Sequence, residues 1–204
     1  MDFLVNDQLS KAKIKVLNSA LELFVEKGFF NTSIPDLVKH SGVSTGSIYH
    51  GFKDKQAIAE ALMQTLLMQI EQQQNQILNQ YASSWERFYQ LCKWMMDTAE
   101  TYPHVMEFIL SARHKEFMPD SLPICSAKPF MILRDVIQQG IQQGDLKNMD
   151  VMVAAASSYG GVLRLIQLSL DGLLEQPLSY YLDDITKTCW QSIVTNERLR
   201  HEST

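Results

Sequence analysis

The side chains in this sequence best placed for chemistry fall within residues 33–55, SIPDLVKHSGVSTGSIYHGFKDK. That chemistry is hydrogen bonding to a polar polymer, not bond breaking. At about 100° per residue, Ser44, Ile48 and Phe52 share one arc of a short helix. Thr45, Gly46, Tyr49 and His50 share the opposite arc, with Ser47 at its edge. Ile48 and Phe52 are suited to pack on preceding helices, which leaves a face that is small and polar at its start and then carries a phenol and an imidazole. A capped helix with a thin polar N-terminus has the shape that enters the major groove of DNA, where base edges offer donors and acceptors. Lys53 and Lys55 follow, where cations can meet phosphate oxygens.

The elements needed to present that helix are also written locally. Ser33, with Asp36 three residues on, forms a capping-box pattern, and Pro35 is tolerated because first-turn amides have no intrahelical partner. Ile34, Leu37 and Val38 supply an apolar stripe. Gly42 ends that helix, since a left-handed residue costs least without a side chain, and Ser44 caps the next. Upstream, Ser10 starts a helix whose buried face is Ile14, Leu17, Leu21 and Phe24, closed by Gly28, with Phe29 and Phe30 anchoring the loop. Lys11 and Lys15 lie one turn apart on it and read equally well as a solvated face. The expected DNA-binding set is Ser33, Ser44, Thr45, Gly46, Ser47, Tyr49, His50, Lys53 and Lys55.

From Lys13 through Leu62 the sequence resembles the N-terminal domain of the TetR/AcrR family of bacterial transcriptional regulators. The landmarks are ALELFVEKGFFNTSI and then DLVKHSGVSTGSIYHGFKDKQAI, in order and without gaps. The resemblance covers about a quarter of the chain. It implies that the remainder is a helical ligand-sensing and dimerising domain, coupled to the DNA-binding part by the long helix between them. Two departures stand out. Gly51 occupies a place where members often carry an aromatic residue or histidine that touches phosphate, and Pro35 one where some carry a base-reading side chain. Base readout is therefore expected to rest on Thr45, Ser47, Tyr49 and His50, none of which is the arginine best suited to guanine.

Composition bounds the alternatives. The chain has 204 residues, 46% hydrophobic and 20% charged, with a net charge of −5. Residues 1–56 hold seven lysines against six acids, and the rest eleven basic against seventeen acidic groups. The cations thus lean weakly toward the N-terminus, which suits a moderate DNA binder, since phosphate neutralisation sets the salt-dependent affinity. The first arginine is Arg87, so lysines without a bidentate fork do that work. Cys92, Cys125 and Cys189 are too dispersed for a disulfide framework or metal knuckle. The N-terminus lacks the basic-then-apolar order of a signal peptide, and no uninterrupted apolar stretch nears the roughly 18 residues that span a membrane. A cytoplasmic protein without membrane attachment is expected.

Beyond residue 56 the pattern is helical throughout, with no strand alternation. The expected fold is all-α: a three-helix helix-turn-helix domain over residues 1–56 and a helical ligand-binding and dimerisation domain over 57–204. Helices are expected from Asp54 to Tyr81, Ser84 to Glu100, Pro103 to Lys115, Pro129 to Gln143, Asp150 to Leu170 and Leu178 to Thr195. The glutamine-rich QIEQQQNQILNQ reads as the polar connector between domains. VAAASSYGGVLRLIQLSL carries Ala155, Ala156, Ser158 and Gly161, which let helices approach closely, either inside one subunit or across a homodimer built from the last two helices.

Trp94, Phe108, Phe117, Phe130 and Tyr159 are the expected lining of a partly apolar effector cavity, in a stretch that also holds Met95, Tyr102 and Met106. Residues of these types at helical spacing are more often core. No cofactor or metal is expected: His40, His50, His104, His114 and His201 form no two-histidine helical pair, and Glu107, one turn from His104, reads as a surface hydrogen bond as easily as half a site. GIQQG lacks the strand and lysine of a phosphate loop, and no nucleophile motif appears, so an enzyme is not expected. The reading is a ligand-responsive regulator, a repressor that binds a palindromic operator as a homodimer. Its rivals are a helical enzyme or carrier with an architectural helix-turn-helix, and a protein-interaction adaptor.

Overall fold

The computed structural model describes residues 3–4, 9–111 and 127–195 of the chain. Nine helices occupy the described residues, and no strands lie among them. They are α1 (Lys11–Glu26), α2 (Ile34–Ser41), α3 (Thr45–Gly51), α4 (Lys55–Gln80), α5 (Ser84–Thr101), α6 (Pro103–Ser111), α7 (Lys128–Gln142), α8 (Val151–Leu170) and α9 (Leu178–Ile193). The all-α fold expected from the sequence is the one observed.

The residues that begin and end these helices are those with the right local chemistry. The Ser10 hydroxyl accepts from the Lys13 amide at 3.3 Å and starts α1. Ser33 and Asp36 form the reciprocal capping box of α2, which ends at Gly42 with φ of 68°. A residue with a Cβ would strain that left-handed turn. Asp54 accepts from the Ala57 amide at the head of α4, and Asp150 accepts from Met152 and Val153 at the head of α8.

Two compact units result. The first takes the described residues up to Ile70 together with Tyr102–Ser111, and the second takes Glu71–Thr101 and residues 127–195. This division differs from a boundary at residue 56. The first half of α4 carries Ile58, Leu62, Leu66 and Ile70 into burial, and that apolar stripe holds it with the first unit until the sequence turns polar at Glu71. In the first unit α1 packs on α2, α3 and α6, and α2 packs on α3. Leu17, Ala20, Leu37 and Ile48 are fully or almost fully buried there. Thr32 ties the α1–α2 loop by donating to the carbonyls of Leu23 and Gly28.

In the second unit α8 and α9 make the most extensive pairing, and α5 packs on α7, α8 and α9. Gly161 makes the first of these possible: a Cβ there would lie 2.8 Å from Cys189 Sγ and 2.9 Å from Ile185 Cδ1. Gly140 in α7 similarly gives passage to Leu146, whose Cδ1 would be 2.8 Å from an added Cβ. That packing accounts for the first glycine of GIQQG. Arg87 on α5 donates to the carbonyls of Tyr81 and Leu78 at the end of α4, satisfying acceptors that a helix terminus leaves open. Helix α8 is long and apolar enough, by length and composition alone, to cross a bilayer. It carries Arg164 and packs against α9 and α7.

Candidate nucleic-acid interface

The candidate interface is α3 and its flanks. Ile48 and Phe52 are buried, at 1% and 8% exposure, and anchor the helix on the first unit's core. Thr45, Gly46, Ser47, Tyr49 and His50 are all exposed, and Tyr49, 54% exposed, is among the large side chains left uncovered. A largely exposed tyrosine, beside an exposed imidazole and two hydroxyls, is a hydrogen-bonding surface. Helical periodicity alone separates the two faces, and for that reason the sequence sufficed to find them.

The caps around α3 do different work from its exposed face. The Ser44 hydroxyl accepts from the Ser47 amide at 3.3 Å and donates to the Ser47 hydroxyl at 2.9 Å. Ser33 gives its hydroxyl proton to Asp36 Oδ2 and accepts from the Asp36 amide, so its side chain is engaged in holding α2. The donors from Ser33 are the main reason the Asp36 carboxyl titrates below its ordinary value, with Lys27 contributing. His40 joins α2 to α1, with Nδ1 at 3.0 Å from Ser19 Oγ and Nε2 at 3.3 Å from Glu22 Oε2.

The two lysines after α3 part company. Lys53 is exposed. Lys55 differs from the expected free cation: it is half-buried, and its ammonium donates to the carbonyls of Phe29 at 2.6 Å and Thr32 at 2.7 Å. It also lies 4.2 Å from the centroid of the Phe29 ring. Burial lowers its pKa. Two of its three N–H groups are thus spent tying the α1–α2 loop to the head of α4, and the partners, more than twenty residues upstream, left no local trace in the sequence.

The expected effector-lining residues fall in both units. Phe108 is buried in the first unit, whereas Trp94 and Phe130 are half-buried and Tyr159 is buried in the second. Phe117 lies outside the described residues. Around Tyr159 the structure gathers residues the sequence did not single out. Phe88 lies 5.2 Å from the Tyr159 ring and 5.3 Å from Trp190, and Trp85 lies 5.4 Å from Trp190. The spacing of Trp85, Phe88, Tyr89 and Cys92 on α5 was the available signal. The Tyr159 hydroxyl and Trp190 Nε1 are both buried without a hydrogen-bond partner, as is Gln74 Oε1 on α4. Burial, with a smaller effect of Cys92, pushes the Tyr159 phenol well above its ordinary pKa. Nearby, Tyr89 donates to Asp183 Oδ1 at 2.7 Å, which raises its pKa to about 12. Among the described residues no group of three or more His, Cys, Asp or Glu could hold a metal ion.

A helix-turn-helix packed on a third helix, with its second helix turned outward, defines the class of DNA-binding regulatory domains. Comparison with known proteins agrees in kind: residues 16–62 match the family described as bacterial regulatory proteins, tetR family. Over 51 residues it is 35% identical to the HTH-type transcriptional regulator UidR of Escherichia coli K12, a match covering 25% of this chain and 26% of that relative. Over 148 residues it is 23% identical to the HTH-type transcriptional repressor KstR2 of Mycolicibacterium smegmatis, covering 71% and 72% of the two chains. Its fold resembles that of the transcriptional regulator FadR from Bacillus subtilis in complex with stearoyl-CoA, with a TM-score of 0.73 at 18% identity, covering 86% and 96%. The family and these relatives are transcriptional regulators, not enzymes.

Proposed function

We propose that the protein is a ligand-responsive transcriptional repressor that binds a palindromic operator as a homodimer and is released by a small molecule. One observation carries the DNA-binding part: α3 exposes Thr45, Ser47, Tyr49 and His50 while Ile48 and Phe52 hold its back to the core. Gly46 keeps the leading turn thin enough for close approach to base edges. Ser33 and Ser44 serve this surface as caps, and Lys53 offers an exposed cation for the flanking phosphate.

The homodimer reading is supported by what α8 and α9 leave uncovered. Met152, Val153 and Tyr180 are more than half exposed, and Ala156 and Gly160 extend the α8 surface, with nothing within 4 Å of a Cβ placed at Gly160. Apolar side chains left exposed on two paired helices mark a candidate association surface, and two-fold pairing suits a palindrome. Gly161 and Ser158 face inward instead, so the small residues of this helix serve two faces.

The effector reading rests on the second unit's unpartnered polar atoms. Tyr159 Oη, Trp190 Nε1 and Gln74 Oε1 are the kind of buried groups that require a partner, because each otherwise keeps its desolvation penalty. A partly apolar molecule bearing its own donors and acceptors would supply one. Such a molecule shifts the regulator only if it binds two conformations unequally. The stearoyl-CoA complex of FadR shows a relative of the same fold holding an acyl-CoA, which makes acyl thioesters the first compounds to test. A protein working on DNA in this way belongs in the cytoplasm.

The test is an electrophoretic shift on DNA from the region upstream of the protein's own gene, at two salt concentrations, with an unrelated duplex as competitor. Sequence-specific retention supports the reading. Equal retention of both duplexes, or of neither, sinks it in favour of the carrier or adaptor alternatives.

A further inference from the structure

Gly51 closes α3 with no side chain, and another residue uses the room. A Cβ built there would lie 3.2 Å from Lys13 Cε and 3.6 Å from Lys13 Cγ. The stem of Lys13 therefore crosses the last turn of α3 because position 51 is empty, and its ammonium rests 5.5 Å from the centroid of the Phe52 ring. The ring face offers a weak electrostatic hold that fixes the cation without neutralising it.

The place where it is held is a groove of about 320 Å³ between the start of α1 and α3, lined among others by Ser10, Lys13, Ser47, His50, Gly51 and Phe52. Among the described residues no carboxylate lies on its wall, although the chain as a whole is acidic. Lys13 forms no ion pair among the described residues, whereas Lys27, Lys93 and Lys128 are paired with Asp36, Asp97 and Glu71. Lys55 is committed to backbone carbonyls. A half-buried cation held in place, with no counter-ion among the described residues, is a seat for an anion. Ser47 and His50 belong both to this groove and to the exposed face of α3, so an anion seated here lies immediately beside whatever α3 reads.

We propose that Lys13, laid across Gly51, is a phosphate clamp: it holds one backbone phosphate of the bound duplex next to the bases met by α3 and so sets the depth of that helix in the groove. This rests on the DNA-binding function proposed above. Lys13 is a positioning residue, since a phosphate contact fixes register without reading sequence.

The experiment measures the affinity of the full-length protein for its own upstream DNA between about 50 and 200 mM salt, where counterion release gives a slope of roughly −0.9 per phosphate neutralised. Lys13→Met keeps the packing on Phe52 and removes the charge. It is expected to flatten the slope by about 0.9 for each subunit bound, with the melting temperature unchanged, and Lys13→Arg is expected to restore the slope. Gly51→Leu, which fills the path of the stem, is expected to flatten the slope similarly. Combined with Lys13→Met it should add little, because both changes remove the same contact. If Lys13→Met leaves affinity and slope as they were while Tyr49→Ala weakens binding, the clamp is wrong and the DNA reading stands. If the unmodified protein retains no DNA, both fall together.

Discussion

Tyr49 and Lys55 show how two residues a few positions apart on the segment proposed to face DNA come to do different jobs. Tyr49 is more than half exposed, so Tyr49→Ala is expected to weaken specific operator binding by about 1–3 kcal/mol and to leave thermal stability nearly unchanged. A fall in melting temperature matching the loss of binding would show instead that the ring belongs to the fold. Lys55 presents the opposite case. Its ammonium satisfies the carbonyls of Phe29 and Thr32, and charge-assisted hydrogen bonds of this kind contribute about 1.5–3 kcal/mol each. Lys55→Ala is therefore expected to lower the denaturation midpoint measurably before any effect on DNA. A variant that melts normally but flattens the salt slope would return Lys55 to the role of a free phosphate contact.

At the scale of the element, α2 depends on its cap and α8 on its glycines. Asp36 titrates below its ordinary 3.8 because Ser33 donates to it from both side chain and backbone. Its folded-state pKa is depressed, so the stability it confers is fully present above the unfolded value and is lost as pH falls through the folded one. Acid unfolding of Asp36→Asn should accordingly show a shallower loss of stability below about pH 4 than the unmodified protein does. An identical acid limb would mean the cap contributes nothing to folding. In α8 the two adjacent glycines are expected to respond oppositely. Gly161→Ala forces a methyl against Cys189 and Ile185 and should cost about 1–3 kcal/mol by overpacking. Gly160→Ala meets nothing within the chain and should not destabilise the monomer, since alanine is favoured over glycine in a helix by up to about 1 kcal/mol. Chemical denaturation of the two variants side by side decides it.

For the whole molecule, the proposed regulator works only if two copies hold their α3 helices at the spacing of successive major grooves. The uncovered α8 face of Val153, Ala156 and Gly160 is where the second copy is expected. Val153→Lys should raise the dimer dissociation constant by at least about tenfold, or 1.4 kcal/mol, measured by sedimentation. Operator affinity should fall with it, while the fold of each subunit persists. A variant that remains dimeric at the same concentration removes this face from the interface.

Much of this was legible in the residues because it is local. Capping side chains, a left-handed glycine and apolar spacing act within four residues of one another, so Ser10, Ser33, Gly42, Ser44 and Asp150 mark helix ends wherever the chain goes. The two faces of α3 follow from the same periodicity, which is why Ile48 and Tyr49 could be assigned to opposite sides before any fold was known. What only the tertiary structure decided are contacts between residues distant in sequence. It turned Lys55 onto Phe29 and Thr32, laid Lys13 over Gly51, and brought Phe88, Tyr159 and Trp190 together while leaving Tyr159 and Trp190 with unmet donors. It also carried the first half of α4 into the first unit. Local sequence states which side of a helix is greasy. Which partner covers that side depends on how the chain closes on itself, where a missing Cβ or a spare carbonyl decides the fate of a lysine tens of residues away.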